Sequence, residues 1–190
     1  ALISEIRRDT IIGRMLGNGA KITGQVLGSE RIPVGKGQGF PGYDPRALKG
    51  NGVTYGMSTM GGDHTAGNCF GSRNSVDPLG TESQGELSRK LQIQIGTLDC
   101  IGLCMFARGP LFAEPNVLAD IVNYKAGTEF DSESIWSIAE DTIKLEREFN
   151  VKSGVSPADD GLPEFLYEER LEPTNAVFDL TMEEMEKSLI

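Results

Sequence analysis

A chain of 190 residues with 38 % hydrophobic and 7 % aromatic side chains has material for one good core or two small ones. Its net charge of −10 is uneven: residues 1–110 carry 12 basic and 9 acidic side chains, whereas residues 111–190 carry 6 and 19. An acidic chain with no basic run is not a nucleic-acid binder, and no apolar stretch approaches the roughly 20 residues of a membrane helix.

Three cysteines, Cys69, Cys100 and Cys104, show no disulfide-framework spacing and point to a reducing, cytoplasmic setting. No secretory leader pattern is present. The chain opens on Ala1 rather than Met, as a processed chain or a piece of a longer one would. The 24 glycines follow no period, which excludes collagen-like sequence. They crowd between residues 13 and 71, where backbone must lie close to other groups.

Residues 2–16 read as a helix with Ile3, Ile6, Ile11, Ile12 and Leu16 as apolar positions, followed by a short helix over 20–27 ending at Gly28. Residues 29–43 read as extended or looped. Asp44-Pro45 predicts a helix start, Asp as N-cap and Pro in the first turn; that helix runs from 46 to about 60, weakened by Gly50, Gly52 and Gly56. Residues 61–82 look irregular. A capping box at Ser83–Glu86 starts a helix striped by Leu87, Leu91, Ile95 and Leu98, ending near Gly102. Further helices are expected at 115–125, beginning at Pro115, and at 131–149, with Ile135, Ile138, Leu145 and Phe149 on one face. A turn at Ser156-Pro157 and a short helix from a capping box at Thr181–Glu184 finish the chain. No strand of useful length alternates. The expectation is an all-α, irregular helical bundle with long Gly-rich loops.

Three segments can carry chemistry. In Asp99-Cys100-Ile101-Gly102-Leu103-Cys104, Asp99 sits in the last helical turn, where backbone carbonyls already make the end negative. It needs donors, which the N–H-rich edge of a ligand would supply. Gly102 can end the helix in the left-handed conformation and let Asp99 and Cys104 turn toward one ligand. The alternative is a structural cysteine after an ordinary helix end. In Gly61-Gly62-Asp63-His64-Thr65-Ala66-Gly67, the single histidine, His64, is placed for proton transfer or for donation to an anion, or is simply a surface histidine. In Tyr43-Asp44-Pro45-Arg46 with Lys49-Gly50, the two cations could face phosphates; solvated cations on a capped helix are the favoured reading.

Taken in order, these segments resemble the tungsten-containing aldehyde ferredoxin oxidoreductase family. Tyr43-Asp44-Pro45-Arg46-Ala47-Leu48-Lys49-Gly50 is similar to its Y-D-P-R-x-x-K-G, and Asp99 to Cys104 is similar to its D-x-x-G-L-C. Met60 to Gly67, Leu145-Glu146-Arg147-Glu148-Phe149-Asn150, Gly154 and Ala158 to Phe165 extend the resemblance over roughly the last third of such enzymes. The resemblance implies a tungsten bis-pterin (molybdopterin) and a [4Fe-4S] cluster in the full-length protein, with none expected on the isolated chain. It implies that Asp99 binds a pterin edge, that Gly102 and Leu103 belong to the same contact, that Cys104 is one of four cluster ligands, and that His64 is the catalytic residue beside the metal. The other three ligands come in a C-x-x-C-x-x-x-C run, which these residues lack.

The implied reaction is oxidation of a small-molecule aldehyde to a carboxylic acid, with ferredoxin or another electron-transfer subunit as partner and with no nucleic acid or membrane involved. The missing N-terminal domains would complete the enzyme, and the fragment alone would be inactive. Two further readings are a related tungsten reductase of the benzoyl-CoA reductase type and a non-catalytic helical assembly domain. Within the chain, residues 1–28 would end a preceding helical domain and 29–190 would form the C-terminal domain.

Overall fold

The architecture follows from how glycine, proline and capping residues cut the chain into helices. The computed structural model describes residues 2–114 and 116–190. Helices α1 (Leu2–Arg7), α2 (Ile11–Gly17) and α3 (Gly19–Val26) open the chain. The single helix expected over 2–16 is broken, because Asp9 adopts a left-handed φ of 53° and the Thr10 hydroxyl accepts from Gly13 N to cap a new helix. Gly13 lets the two helices cross closely: a Cβ there would lie 2.0 Å from the Glu5 carbonyl oxygen. The apolar positions expected inside, Ile3, Ile6, Ile11 and Ile12, are exposed.

A minimal antiparallel hairpin, β1 (Val34–Gly35) with β2 (Gln38–Gly39), pairs Val34 with Gly39 and Gly35 with Gln38. It carries α3 on one side, with Gly24 against Ile32 and Ala20 against Gly39.

Helix α4 (Lys49–Met57) starts later than expected. Asp44 caps a turn instead, accepting from Arg46 N at 2.9 Å, and Leu48 takes the N-cap place without a side-chain bond. All nine residues of α4 are buried. The glycines expected to weaken it are what permit this: Gly50 lies against Cys69 and Gln84, Gly52 against Phe178, and Gly56 against Gly161 and Met185. Around α4 sits a core of Val53, Met57, Leu166, Phe178, Leu180 and Met185. It joins α4 to α9 (Phe165–Glu168) and α10 (Met182–Glu186). Complete burial of each such side chain contributes about 1.5–3 kcal/mol.

Helix α5 (Gln84–Ile101) has the expected span, but its start is not a capping box. Ser83 stands at φ 59° with no side-chain cap bond. Gln84 secures the entry instead, donating to the carbonyls of Asp77 and Gly80. Leu91, Ile95 and Leu98 are buried, as the stripe predicted, and Gly102 ends the helix at φ 77°.

After a short helix α6 (Arg108–Leu111), α7 (Val117–Ala126) and α8 (Ser132–Lys152) complete a second core of Ile95, Leu98, Leu118, Ala119 and Ile135. The expected helix start at Pro115 lies outside the described residues. Helix α8 is capped by Asp131, which accepts from Ser134 N at 2.8 Å. It does not bury the predicted face. Ile135 is inside, but Ile138, Leu145 and Phe149 are exposed, and the inward turn is Ile135 and Ala139.

At the tail, Pro157–Asp159 forms a capped 3₁₀ turn, and Thr181 accepts from Glu184 N at the start of α10. The described chain is therefore all-α apart from the hairpin and one isolated bridge between Leu171 and Ala176. No helix of it is long and apolar enough to cross a membrane.

Candidate cofactor-binding site

Helices α5 and α8, with the chain that follows α4, line an open cavity of about 260 Å3. Ser58, Thr59 and Met60 leave the end of α4 to form one wall, with Ala66 beside them. Gln92, Ile95, Gly96, Asp99 and Cys100 come from α5, and Thr142, Ile143 and Glu146 from α8. The spacing of 92, 95, 96 and 99 is one helix face, and so is 142, 143 and 146. The cavity thus lies along the seam between α5 and α8.

Buried polar bonds hold the loop wall in place. Thr54 Oγ1 is within bonding distance of Gly67 O at 3.2 Å and Ser88 Oγ at 2.8 Å. Asn51 Oδ1 accepts from Cys69 N at 2.7 Å. On the far side, Lys36 Nζ donates to Gly56 O and Arg147 to Met57 O, so two cations cap the last carbonyls of α4. Asp160 bridges both cations, 2.7 Å from Lys36 Nζ and 2.5 Å from Arg147 Nη2. Asn150 Nδ2 donates to Thr59 O, and Thr59 Oγ1 donates to Glu146.

Asp99 lines the cavity, and its carboxylate receives no hydrogen bond among the described residues. Desolvation raises its pKa, and the nearby charge of Glu146 raises it further. The donors that a carboxylate at a helix C-terminus lacks are therefore also lacking in the folded chain. At the helix end, Gly102 N donates to Asp99 O, and Leu103 N to Leu98 O at 2.8 Å, a Schellman ending. The Leu103 carbonyl accepts from no backbone N–H among the described residues, while the Leu103 side chain packs on the second core. Cys104, just beyond, is exposed.

The other thiols differ. Burial pushes Cys69 up to about 12, with Arg108 opposing, so it stays a neutral core thiol. Cys100 Sγ lies 3.4 Å from Thr142 Oγ1. Among the described residues no group of three or more His, Cys, Asp or Glu could hold a metal ion. Cys104 is an exposed free thiol that belongs to no such group.

His64 does not line the cavity. It begins the 3₁₀ turn His64–Ala66, whose last residue does. Its Nδ1 is 3.8 Å from Asp63 Oδ1 and its ring is 5.4 Å from Tyr43. Partial burial pushes the Asp63 pKa up, but hydrogen bonds from the Thr65 N–H and hydroxyl, with Gln38 and His64 nearby, bring it below the ordinary value. Arg46 and Lys49 are both engaged by partners within the chain. Arg46 pairs with Asp44 and donates to Glu169 O. Lys49, 3 % exposed, reaches Leu79 O and Asp179. Neither the phosphate reading nor the solvated one holds for this pair.

Sequence reasoning missed Glu146, Gln92 and Thr59 as wall residues. Glu146 stood in the quoted Leu145–Asn150 segment, but only the packing of α8 against α5 brings it, still exposed, to the rim of the cavity. The wall suits an N–H-rich ring: each side-chain donor group on it already has an acceptor, no cation lines it, and Asp99 is left without a donor.

Residues 1–189 match the family model described as aldehyde ferredoxin oxidoreductase, domains 2 and 3. Among curated proteins, the tungsten-containing aldehyde ferredoxin oxidoreductase of Pyrococcus abyssi is 29 % identical over 175 residues, 88 % of this chain and 28 % of its own length. The protein of the same name from Pyrococcus furiosus is 30 % identical over 154 residues, 77 % of this chain and 25 % of its length. That from Thermococcus kodakarensis is 30 % identical over 137 residues, 68 % of this chain and 22 % of its length. The chain thus spans about a quarter of the curated relatives it matches, in their C-terminal part, and it belongs to the tungsten-containing aldehyde ferredoxin oxidoreductase family.

Proposed function

We propose that the chain is the C-terminal part of an enzyme that oxidises aldehydes to carboxylic acids, with ferredoxin as electron acceptor. The observation that carries the reading is the end of α5: Asp99 on the cavity wall without a donor, a left-handed Gly102, and an exposed Cys104 thiol immediately after it. In the overall reaction an aldehyde and water give the carboxylic acid, two electrons and two protons. When bound, the tungsten pterin and the iron–sulfur cluster supply that redox chemistry.

The chain's own residues bind and orient. The Asp99 carboxylate accepts from the pterin N–H edge, the Leu103 carbonyl offers a further acceptor there, and Gly102 makes the turn between them. Cys104 gives its sulfur to the cluster. His64, with Nδ1 toward Asp63, has Nε2 free to take or return a proton at the substrate. The missing domains of the longer protein would provide the remaining ligands and the opposite side of the cofactor.

The test uses the full-length protein. His64→Ala should lower aldehyde turnover while leaving tungsten and iron contents unchanged, and Cys104→Ser should lower iron. Unaltered turnover in the first variant removes His64 from the mechanism. Unaltered iron in the second removes Cys104 from the cluster.

A further inference from the structure

The cavity beside Asp99 has a one-sided chemistry. Ser58 Oγ donates to Gly61 O, Thr59 Oγ1 to Glu146, Thr142 Oγ1 to Ile138 O, and the Cys100 thiol to Thr142. Gln92, only 6 % exposed, gives its amide nitrogen to Ser88 Oγ at 3.2 Å. Its amide oxygen then accepts from no described residue and is left open to a donor from the cavity or from water. The oxygens of Asp99, the second oxygen of Glu146 and the amide oxygen of Gln92 are the acceptors left over.

The rest of the wall is apolar: Ile95, Ile143, Met60 and Gly96. A Cβ on Gly96 would meet Ile143 Cδ1 at 3.4 Å, so the glycine keeps the slot open. About 260 Å3 fits one flat ring system rather than a drug-sized ligand, whose pockets run to roughly 300–1,000 Å3. A hard divalent cation fits poorly, since it asks for about six or more oxygens and half of this wall is hydrocarbon.

We propose that Glu146 and the Gln92 amide oxygen act with Asp99 as a three-acceptor receptor for the N–H edge of a flat aminoheterocycle, the chemical class to which a pterin belongs. The proposal rests on the reading of Asp99 as a pterin-binding residue and adds two binding residues on two helices to it. A donor-rich edge between Asp99 and Glu146 relieves the repulsion that now raises the Asp99 pKa. Apolar side chains above and below the ring fix its plane.

The experiment measures pterin bound per polypeptide in the full-length protein, as the fluorescent oxidised derivative, beside iron content. It also measures binding of 6-hydroxymethylpterin and of Mg2+ to pterin-free protein. Glu146→Gln keeps an acceptor for the Thr59 hydroxyl but removes the charge. It should lower pterin content and weaken 6-hydroxymethylpterin about tenfold, the ratio for one lost charged hydrogen bond, as Asp99→Asn does. Thr59→Val breaks the loop contact but leaves the Glu146 carboxylate, and should keep the pterin. Gln92→Met carries the same test should Glu146→Gln not fold by circular dichroism.

Loss of pterin in Asp99→Asn but not in Glu146→Gln or Gln92→Met overturns the proposal and leaves the Asp99 reading standing. Full pterin in all three overturns both. Equal losses in Glu146→Gln and Thr59→Val reduce Glu146 to a loop support and overturn the proposal. So does Mg2+ binding that Glu146→Gln abolishes.

Discussion

Two carboxyls, Asp99 and Asp63, have opposite responses to pH. Asp99 has a raised folded pKa, through burial and Glu146. Its contribution to stability is therefore full below the ordinary value of 3.8 and is lost as pH rises through the raised folded value. Asp99→Asn should melt above the wild type at neutral pH, with the gap closing in acid; thermal melts across that range check it. Asp63 has a lowered folded pKa, because the Thr65 hydrogen bonds outweigh its partial burial. Its contribution is present above the ordinary value and is lost as pH falls through the lowered one. Asp63→Ala should cost about 1 kcal/mol at neutral pH, the usual loss of an N-cap, and less in acid; denaturant melts at several pH values report the difference. At this scale the sequence was informative about Asp99, whose awkward position at a helix end is local. It was silent about Glu146 and Gln92, because which face of α5 meets which face of α8 is a matter of packing.

The elements are held by contacts between segments far apart in sequence. The side chain of Asp160 is 6 % exposed and joins Lys36 of the hairpin to Arg147 of α8 over the carbonyl end of α4. Asp160→Ala leaves two partly buried cations uncompensated and should cost about 3–5 kcal/mol, read by chemical denaturation. Gly52→Ala puts a methyl 2.4 Å from the Phe178 ring, and overpacking of this kind costs about 1–3 kcal/mol; the same melts measure it. Helix ends legible in the sequence were those set locally, at Gly102, Asp131 and Thr181. Those misread, at Ser83, at Asp44 and within 2–16, depended on partners elsewhere. Ser83 takes a left-handed φ while Gln84 finds distant carbonyls, and Gly13 meets Glu5 only once Asp9 has turned the chain.

Across the molecule, apolar surface remains uncovered on several elements. Leu2, Ile3, Ile11, Val26 and Leu27 are more than 60 % exposed along the first three helices, and Leu145 and Phe149 exceed 60 % on α8. Contiguous exposed apolar surface promotes association. The chain by itself should bind a hydrophobic dye and self-associate, and sedimentation at increasing concentration checks this; a dye-free monomer at all concentrations would contradict it.

The order of motifs, the all-α class and the family were determined by the sequence itself, since they rest on local helix period and on residues in a fixed order. The glycines of α4 show where that ends: they read as weak points in one dimension and are close-packing sites in three. Only the tertiary structure decided which face of α8 turns inward, that Lys49 is buried on Asp179, and that Glu146 and Gln92 join Asp99. The physical reason is that burial and hydrogen-bond partnership belong to pairs of surfaces, and one helix's periodicity does not name the surface it will meet.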